Sequence, residues 1–269
     1  MSRLRVILLM LLVTLVATGC DSAPEQAKPT ESTQAVIDGF FSELPIFYKI
    51  DSIRQIGGKS DRPTAAMERL NVRHQMIIEH HSDLIKGARI LDFGSYDGRW
   101  TYAALEAGAE HVTGIEINQD FVDQAARNLS ELGSPPDRYN FIVGDLLEQL
   151  RKIEPGDYDG IINAGIFYHI TYHVELMKEM ERLDVDWIIM DSSVQLGEKP
   201  IVQWSLSPYG LEGTPSVSAI ELMANQSEFS TERVPLPENT SVGMWDYNDG
   251  YRVTMTLLPG AIKTEHKLR

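Results

Sequence analysis

Cysteine is nearly missing from this chain: one thiol, Cys20, in 269 residues. A single cysteine excludes an intrachain disulfide framework and any metal site built from several thiolates. Basic residues are also scarce, 24 against 39 acidic ones, which gives a formal net charge of −15. Nucleic-acid affinity rests largely on Lys and Arg neutralising phosphates, and no Lys/Arg-rich run occurs, so the composition speaks against an RNA or DNA partner. The apolar-biased run at residues 6–17 is twelve residues long. That falls short of the roughly 20 that span a bilayer as a helix. Histidines do not make up a metal set. His80 and His81 are neighbours, so on a helix they point about 100° apart. No Glu or Cys stands at a spacing they would share, and no metal is expected.

What the first twenty residues do contain is a pattern. Arg3 and Arg5 precede the apolar run, and Thr18-Gly19-Cys20 closes it. A charged start, a short apolar middle and a small-residue end describe a secretory signal peptide. The ending Ala-Thr-Gly-Cys resembles the lipobox of bacterial lipoproteins, in which the cysteine is lipidated and becomes the mature N-terminus. Ala17 stands where Leu is usual. By that resemblance, Asp21 directly after the cysteine implies retention at the inner membrane, facing the periplasm. An uncleaved anchor, or a downstream start such as Met67 with a cytoplasmic product, stays open. Without Arg3 and Arg5, 24 − 2 = 22 basic residues face 39 acidic ones. A chain that acidic is not drawn to anionic lipid, so attachment falls to the acyl chains on Cys20, and more than one chain is needed for a stable anchor.

Residues 21–32 are polar, contain proline and lack apolar periodicity, which reads as a flexible tether. Residues 34–50 carry Val36, Ile37, Phe40, Phe41, Leu44 and Phe47 at spacings near three and four. That predicts an amphipathic helix, bent at Pro45. A second helix is expected over residues 62–86, with Met67, Leu70, Met76, Ile77 and Leu84 on its buried side.

The chain is organised around residues 89–100, Arg-Ile-Leu-Asp-Phe-Gly-Ser-Tyr-Asp-Gly-Arg-Trp. Ile90, Leu91 and Phe93 make a short apolar strand. Gly94 and Gly98 bracket a polar turn, and a helical pattern starts at Trp100. A strand, a glycine turn and a helix together aim unpaired backbone N–H groups into a crevice beyond the strand end. The spacing is Gly-x-x-x-Gly rather than the Gly-x-Gly-x-x-Gly of dinucleotide folds, so a pyrophosphate is not the expected guest. A second apolar strand ends in Glu116, 22 residues beyond Gly94, where an acid can accept two hydrogen bonds from ribose hydroxyls. Asn118 is positioned to cap the helix that follows. A third strand ends at Gly144-Asp145, and Asp145 also suits a helix N-cap. The fourth strand runs into Asn163-Ala-Gly-Ile-Phe-Tyr-His169, and a fifth ends at Asp191. A helix over residues 215–225 and two closing strands, residues 229–235 and 251–258, complete the pattern.

The segment from Asp92 to Gly98 resembles the first motif of class I S-adenosylmethionine (SAM) dependent methyltransferases, and the acids at 116 and 145 stand where that family places its own. The Tyr168-His169 pair before a helix, with the Asp-Gly-Arg-Trp run at 97–100, is similar to a subgroup typified by bacterial tRNA wobble-uridine alkyltransferases and small-molecule methyltransferases. The resemblance covers residues 89–191 well and the flanks loosely. It implies an α/β, Rossmann-like, seven-stranded, mostly parallel sheet with an antiparallel last strand, behind an N-terminal helical cap. Its boundaries would be a leader at 1–20, a tether at 21–32, a cap at 33–87 and a SAM-binding domain at 88–262. By resemblance, Gly94, Asp97 and Gly98 hold the methionine end of SAM, Glu116 the ribose and Asp145 the adenine amine. Asp92 steadies the turn, and Asn163 belongs to the same cofactor set. Substrate meets cofactor at the exit of the fourth strand. There His169 is a candidate base, since imidazole titrates near neutrality, and Tyr168 a candidate for positioning the acceptor; pocket lining is the competing role for the histidine. His173 is a weaker candidate one turn on.

The exit lacks the Asn-Pro-Pro-Tyr of nucleobase amino-methylases and the acidic cluster that aminopropyl transfer needs. Methyl transfer to a small-molecule or lipid-associated acceptor is the expectation. Two other readings stand beside it: a non-catalytic tethered lipoprotein that binds a nucleoside-like ligand or a partner in the same cleft, and a tRNA-modifying methyltransferase. The leader and the ligand pull in opposite directions, because export carries the domain away from the cytoplasm, where SAM is made.

Overall fold

The computed structural model describes residues 38–48, 63–208, 210–238, 240 and 244–260. The leader, Cys20, the tether and Tyr209 lie outside the described residues, as do the ends of the first expected helix. Its described part is not an α-helix: Phe40–Glu43 and Pro45–Phe47 are two short 3₁₀ turns separated at Leu44. Pro45 disfavours helical geometry at the residue before it, and Leu44 leaves the helical region with ψ +63°. The second helix is also interrupted. It forms α1 (Pro63–Ile77), a 3₁₀ turn at Glu79–His81, and one further turn, α2 (Ser82–Ile85). Leu70, Met76 and Ile77 are buried as expected, but Leu84 is exposed and Ile85 takes the inner position, because the break at Ile78 resets the helical phase.

The sheet is built from β1 (Arg89–Phe93), β2 (His111–Glu116), β3 (Tyr139–Val143), β4 (Gly160–Ala164), β5 (Trp187–Ser193), β8 (Phe229–Arg233) and β9 (Arg252–Pro259). Its order is β3-β2-β1-β4-β5-β9-β8. Pairs among β1 to β5 are parallel, and β9 runs antiparallel to both β5 and β8. The expected antiparallel last strand is therefore present, inserted between its neighbours. A separate hairpin, β6 (Val202–Ser207) with β7 (Gly210–Pro215), projects between β5 and β8.

Consecutive residues of the central strands enter different apolar layers, as parallel strands covered on both faces must. Leu91, Ile161 and Ile188 join one cluster with Phe167 and Met177. Ile90, Ile162 and Ile189 join the other, where Trp100, Phe41 and Leu70 close the second face. The N-terminal segment thus packs on the layer behind α3 (Arg99–Glu106). Strand order reverses between β1 and β4, and in open α/β sheets ligands gather beyond the carboxyl ends at that point.

Candidate functional site at the ends of β1 to β4

Gly94 and Gly98 both have left-handed backbone, φ +63° and +82°, which glycine adopts without a Cβ penalty. Gly94 donates its N–H to Ile115 O at 2.8 Å, tying the turn to the end of β2. Tyr96, also left-handed at φ +49°, donates its N–H to Glu116 Oε2 at 3.1 Å. Asn118 N–H donates to the other oxygen at 3.0 Å. The structure therefore brings Gly94 and Glu116 together, with the buried carboxylate fixed by two amides. Asn118 caps α4 (Gln119–Glu131) through its side chain, as expected. Glu116 pairs in register with Val143, so Asp145 lies just past the neighbouring strand tip. Asp145 caps α5 (Leu146–Leu150) by accepting from Glu148 N–H at 3.1 Å.

Asp97 is held differently from a free ligand group. Its carboxylate takes Arg99 Nε at 2.7 Å and a terminal nitrogen of the same guanidinium at 2.5 Å, and Asn128 donates to its carbonyl at 2.9 Å. Asp92 is fully buried beneath the turn and accepts from the Thr101 hydroxyl at 2.7 Å. Desolvation, with Glu116 and Asp97 nearby, pushes its carboxyl up to about 7. Four buried polar atoms beside these strand ends have no hydrogen-bond partner among the described residues: Asp92 Oδ1, Ser95 Oγ, and both Asn163 Oδ1 and Nδ2. Buried polar groups are normally satisfied, so such a set marks a place built to meet something else. Ile166 lies across Gly94; its Cγ1 is 2.5 Å from where a Cβ would stand. The approach of this side chain requires the glycine.

Beyond Ile166, a 3₁₀ turn at Phe167–His169 leads through Tyr172 into α6 (His173–Arg182). Tyr168 and His169 are in ring contact at 4.0 Å. The His169 ring meets Glu212 of β7, Nδ1 to Oε1 at 2.7 Å. His173 is buried, and its Nε2 lies 2.8 Å from Gly213 O, so it donates to the backbone and serves packing. Nothing local in the sequence pointed to Glu212, 43 residues from His169.

A second feature missed in the sequence is the set of charges around Asp191, at the end of β5. Its carboxylate accepts from Arg73 of α1 at 2.8 Å, Arg252 of β9 at 2.9 Å, the Thr254 hydroxyl at 2.8 Å and the Tyr247 hydroxyl. Although burial opposes ionisation, Arg252 and Arg73 hold this carboxyl well below the usual carboxylate range. Arg69 of α1 pairs with Asp246 through two bonds at 2.6 and 2.5 Å. Arg252 also stands over the Tyr168 ring at 5.3 Å. Trp204 and Trp245 are about half exposed.

A sheet of this order, with a glycine turn after its first strand and the antiparallel strand second from one edge, is the fold of class I methyltransferases. Residues 90–183 match a family model described as "Methyltransferase domain". The chain is 26% identical over 170 residues to a tRNA U34 carboxymethyltransferase of Idiomarina loihiensis, covering 60% of this chain and 51% of that protein. It is 28% identical over 146 residues to the O-antigen chain terminator bifunctional methyltransferase/kinase of Escherichia coli, covering 53% of this chain and 19% of that protein. The chain thus spans about half the length of the first relative and a smaller part of the second. Among solved structures, the magnesium protoporphyrin IX methyltransferase of Synechocystis with bound SAM superposes with a TM-score of 0.55 at 15% identity, covering 80% of this chain and 94% of that one.

Proposed function

We propose that this chain is a SAM-dependent methyltransferase acting on a small-molecule or lipid-associated acceptor. The observation that carries the reading is the convergence, at the β1/β4 reversal, of a left-handed glycine turn, a buried acid on the next strand tip and an orphaned amide. The residues present fit such a cofactor. Gly94, Asp97 and Gly98 would hold its methionine end, Asp97 acting from its clamp with Arg99. Glu116 keeps lone pairs for ribose hydroxyls beyond the two amides it accepts. Asp145 would take the adenine amine, and Asn163 offers both a donor and an acceptor. When bound, SAM supplies an electrophilic methyl group; the chain's task is to align the acceptor and exclude water. Calorimetry with SAM and its demethylated product tests this. Wild type should bind both, and Glu116→Ala should weaken binding by about tenfold, the loss of roughly one charge-assisted bond. No binding to wild type would sink the reading, and binding without any turnover would favour a non-catalytic receptor.

The resemblance of residues 17–20 to a lipobox supports a lipidated Cys20 and membrane attachment on the periplasmic side. Acyl labelling of cells, with Cys20→Ser as control, is the check; an unlabelled, cytoplasmic wild type would overturn it. The tRNA-modifying relatives favour a second reading, RNA as acceptor. The net charge of −15 weighs against it, and a gel shift that finds no salt-sensitive tRNA binding would dismiss it.

A further inference from the structure

We infer that Glu212 is the positioning partner of a general base, His169, and that the methylated group is a hydroxyl. The inference rests on the methyltransferase reading and deepens it.

The pair is more sheltered than two surface ion pairs of this protein and comparable to Arg182–Glu179, whose side chains are 35% and 17% exposed. Arg233–Glu221 has side chains 61% and 36% exposed, and Arg89–Asp159 40% and 36%. Exposed pairs of that kind contribute little. Glu212 is only 13% exposed, whereas His169 is 37% exposed, so the carboxylate is tucked beneath a ring that keeps one side open. The hairpin is also fixed at this place. Gly213 N–H donates to Ile170 O at 3.1 Å, and Gly213 O accepts from His173 Nε2 at 2.8 Å. Residue 212 is therefore held from the very next position, and the sheet pairing Ser205↔Glu212 holds it from the other strand.

An ionised carboxylate only accepts, so at 2.7 Å the proton of the contact belongs to His169 Nδ1. That fixes the neutral ring with its lone pair on Nε2, the form a base requires. Nε2 makes no hydrogen bond with a described residue, in contrast to His173, whose Nε2 is committed to the backbone. His169 ends the 3₁₀ turn that follows Ile166, the side chain beside Gly94, on the segment leaving β4. A carboxylate behind an imidazole holds the ring and favours proton uptake, which suits an acceptor that must give up a proton. A hydroxyl is such an acceptor: as its oxygen bonds to the methyl carbon, the sulfur–methyl bond breaks with its electron pair going to sulfur. The sulfonium becomes a neutral thioether, and the hydroxyl proton passes to Nε2. Glu212 then neutralises the imidazolium, which returns the proton to solvent.

The test uses the full chain, 13C-methyl SAM and the small-molecule fraction of a bacterial lysate, with three readouts. The first is long-range 1H–15N NMR of His169: wild type should show the Nδ1–H tautomer, and Glu212→Ala should lose that preference. The second is turnover: Glu212→Ala should lower kcat by about tenfold to a hundredfold, part of the range for general-base catalysis, with SAM affinity and acceptor KM within about twofold. Glu212→Asp should recover part of kcat, and His169→Asn should lose turnover while still binding SAM. The third is the carbon shift of the transferred methyl, which separates O-methyl from N- and C-methyl products. An Nε2–H tautomer in wild type, an unchanged kcat in Glu212→Ala, or an N- or C-methyl product would overturn the inference with the methyltransferase reading intact. Failure of wild type to bind SAM would sink that reading instead, and the role of Glu212 with it.

Discussion

Two buried titratable residues pull stability in opposite directions with pH. His81, in van der Waals contact with the core and bonded through Nε2 to the Thr256 hydroxyl at 2.6 Å, is lowered to about 4, by burial first and by His80 second. The unfolded chain protonates this ring from about pH 6.5 downward while the native one does not, so stability falls as pH drops from 6.5 to 4, by up to about 3 kcal/mol. Asp92 is the converse. Its native carboxyl, pushed up to about 7, stays protonated where the unfolded one is charged, so its contribution is present below about pH 4 and lost as pH rises through 7, by up to about 4 kcal/mol. Urea titrations across pH 4 to 8 check both. Asp92→Asn should be more stable than wild type above pH 7, and His81→Gln should resist acidification better; parallel wild-type and variant curves would refute either. Gly94→Ala meets Ile166 and a left-handed backbone at once, and should lose SAM binding at least tenfold in calorimetry while the chain stays folded by circular dichroism. The glycine turn, the place of Glu116 at a strand tip and the Asn118 cap were readable in the sequence because each is set within a few residues of a strand end. The orphaned state of Asn163 was not readable, since it depends on what surrounds the amide.

Among the elements, α1 is tied down by ion pairs as well as by apolar contact. Arg69 and Arg73 lie one turn apart on it and reach Asp246 and Asp191. Removing one member of a buried pair leaves its partner uncompensated, at a cost of about 3–5 kcal/mol. Asp191→Asn strands both Arg73 and Arg252 and should lower the urea midpoint accordingly; a shift under about 1 kcal/mol would show that the helix is held by its apolar face alone. Because Asp191 titrates below the usual carboxylate range, its stabilisation is present above about pH 4 and persists until pH falls through the lowered value. Acid down to pH 4 should therefore leave α1 docked. The strands were legible from short apolar runs with acids or glycines at their ends, whereas the parallel sheet with its antiparallel strand was expected from the family resemblance alone. The described part of the first expected helix was misread, because Phe40, Phe41, Leu44 and Phe47, at spacings of three and four, also suit two 3₁₀ turns that bury Phe41 and Phe47. The hairpin β6–β7 was passed over although Val202-Gln-Trp-Ser-Leu-Ser207 alternates apolar and polar residues; its apolar side chains Trp204, Leu206 and Leu211 stay exposed.

At the scale of the whole molecule, the two ends of the described chain share one polar knot. Arg69 and Arg73 sit 118 residues or more before the groups they pair with, Asp191 and Asp246, and Arg252 and Thr254 complete the same cluster. A ribosome delivers the chain from its amino end at about 5–20 residues each second. The arginines of α1 emerge long before β9 can be threaded between β5 and β8, so they wait in water without their counter-ions. Emergence of residues 246–254, and not synthesis of the glycine turn, is the event that lets α1 settle, and nascent chains stalled before residue 244 should leave α1 open to protease.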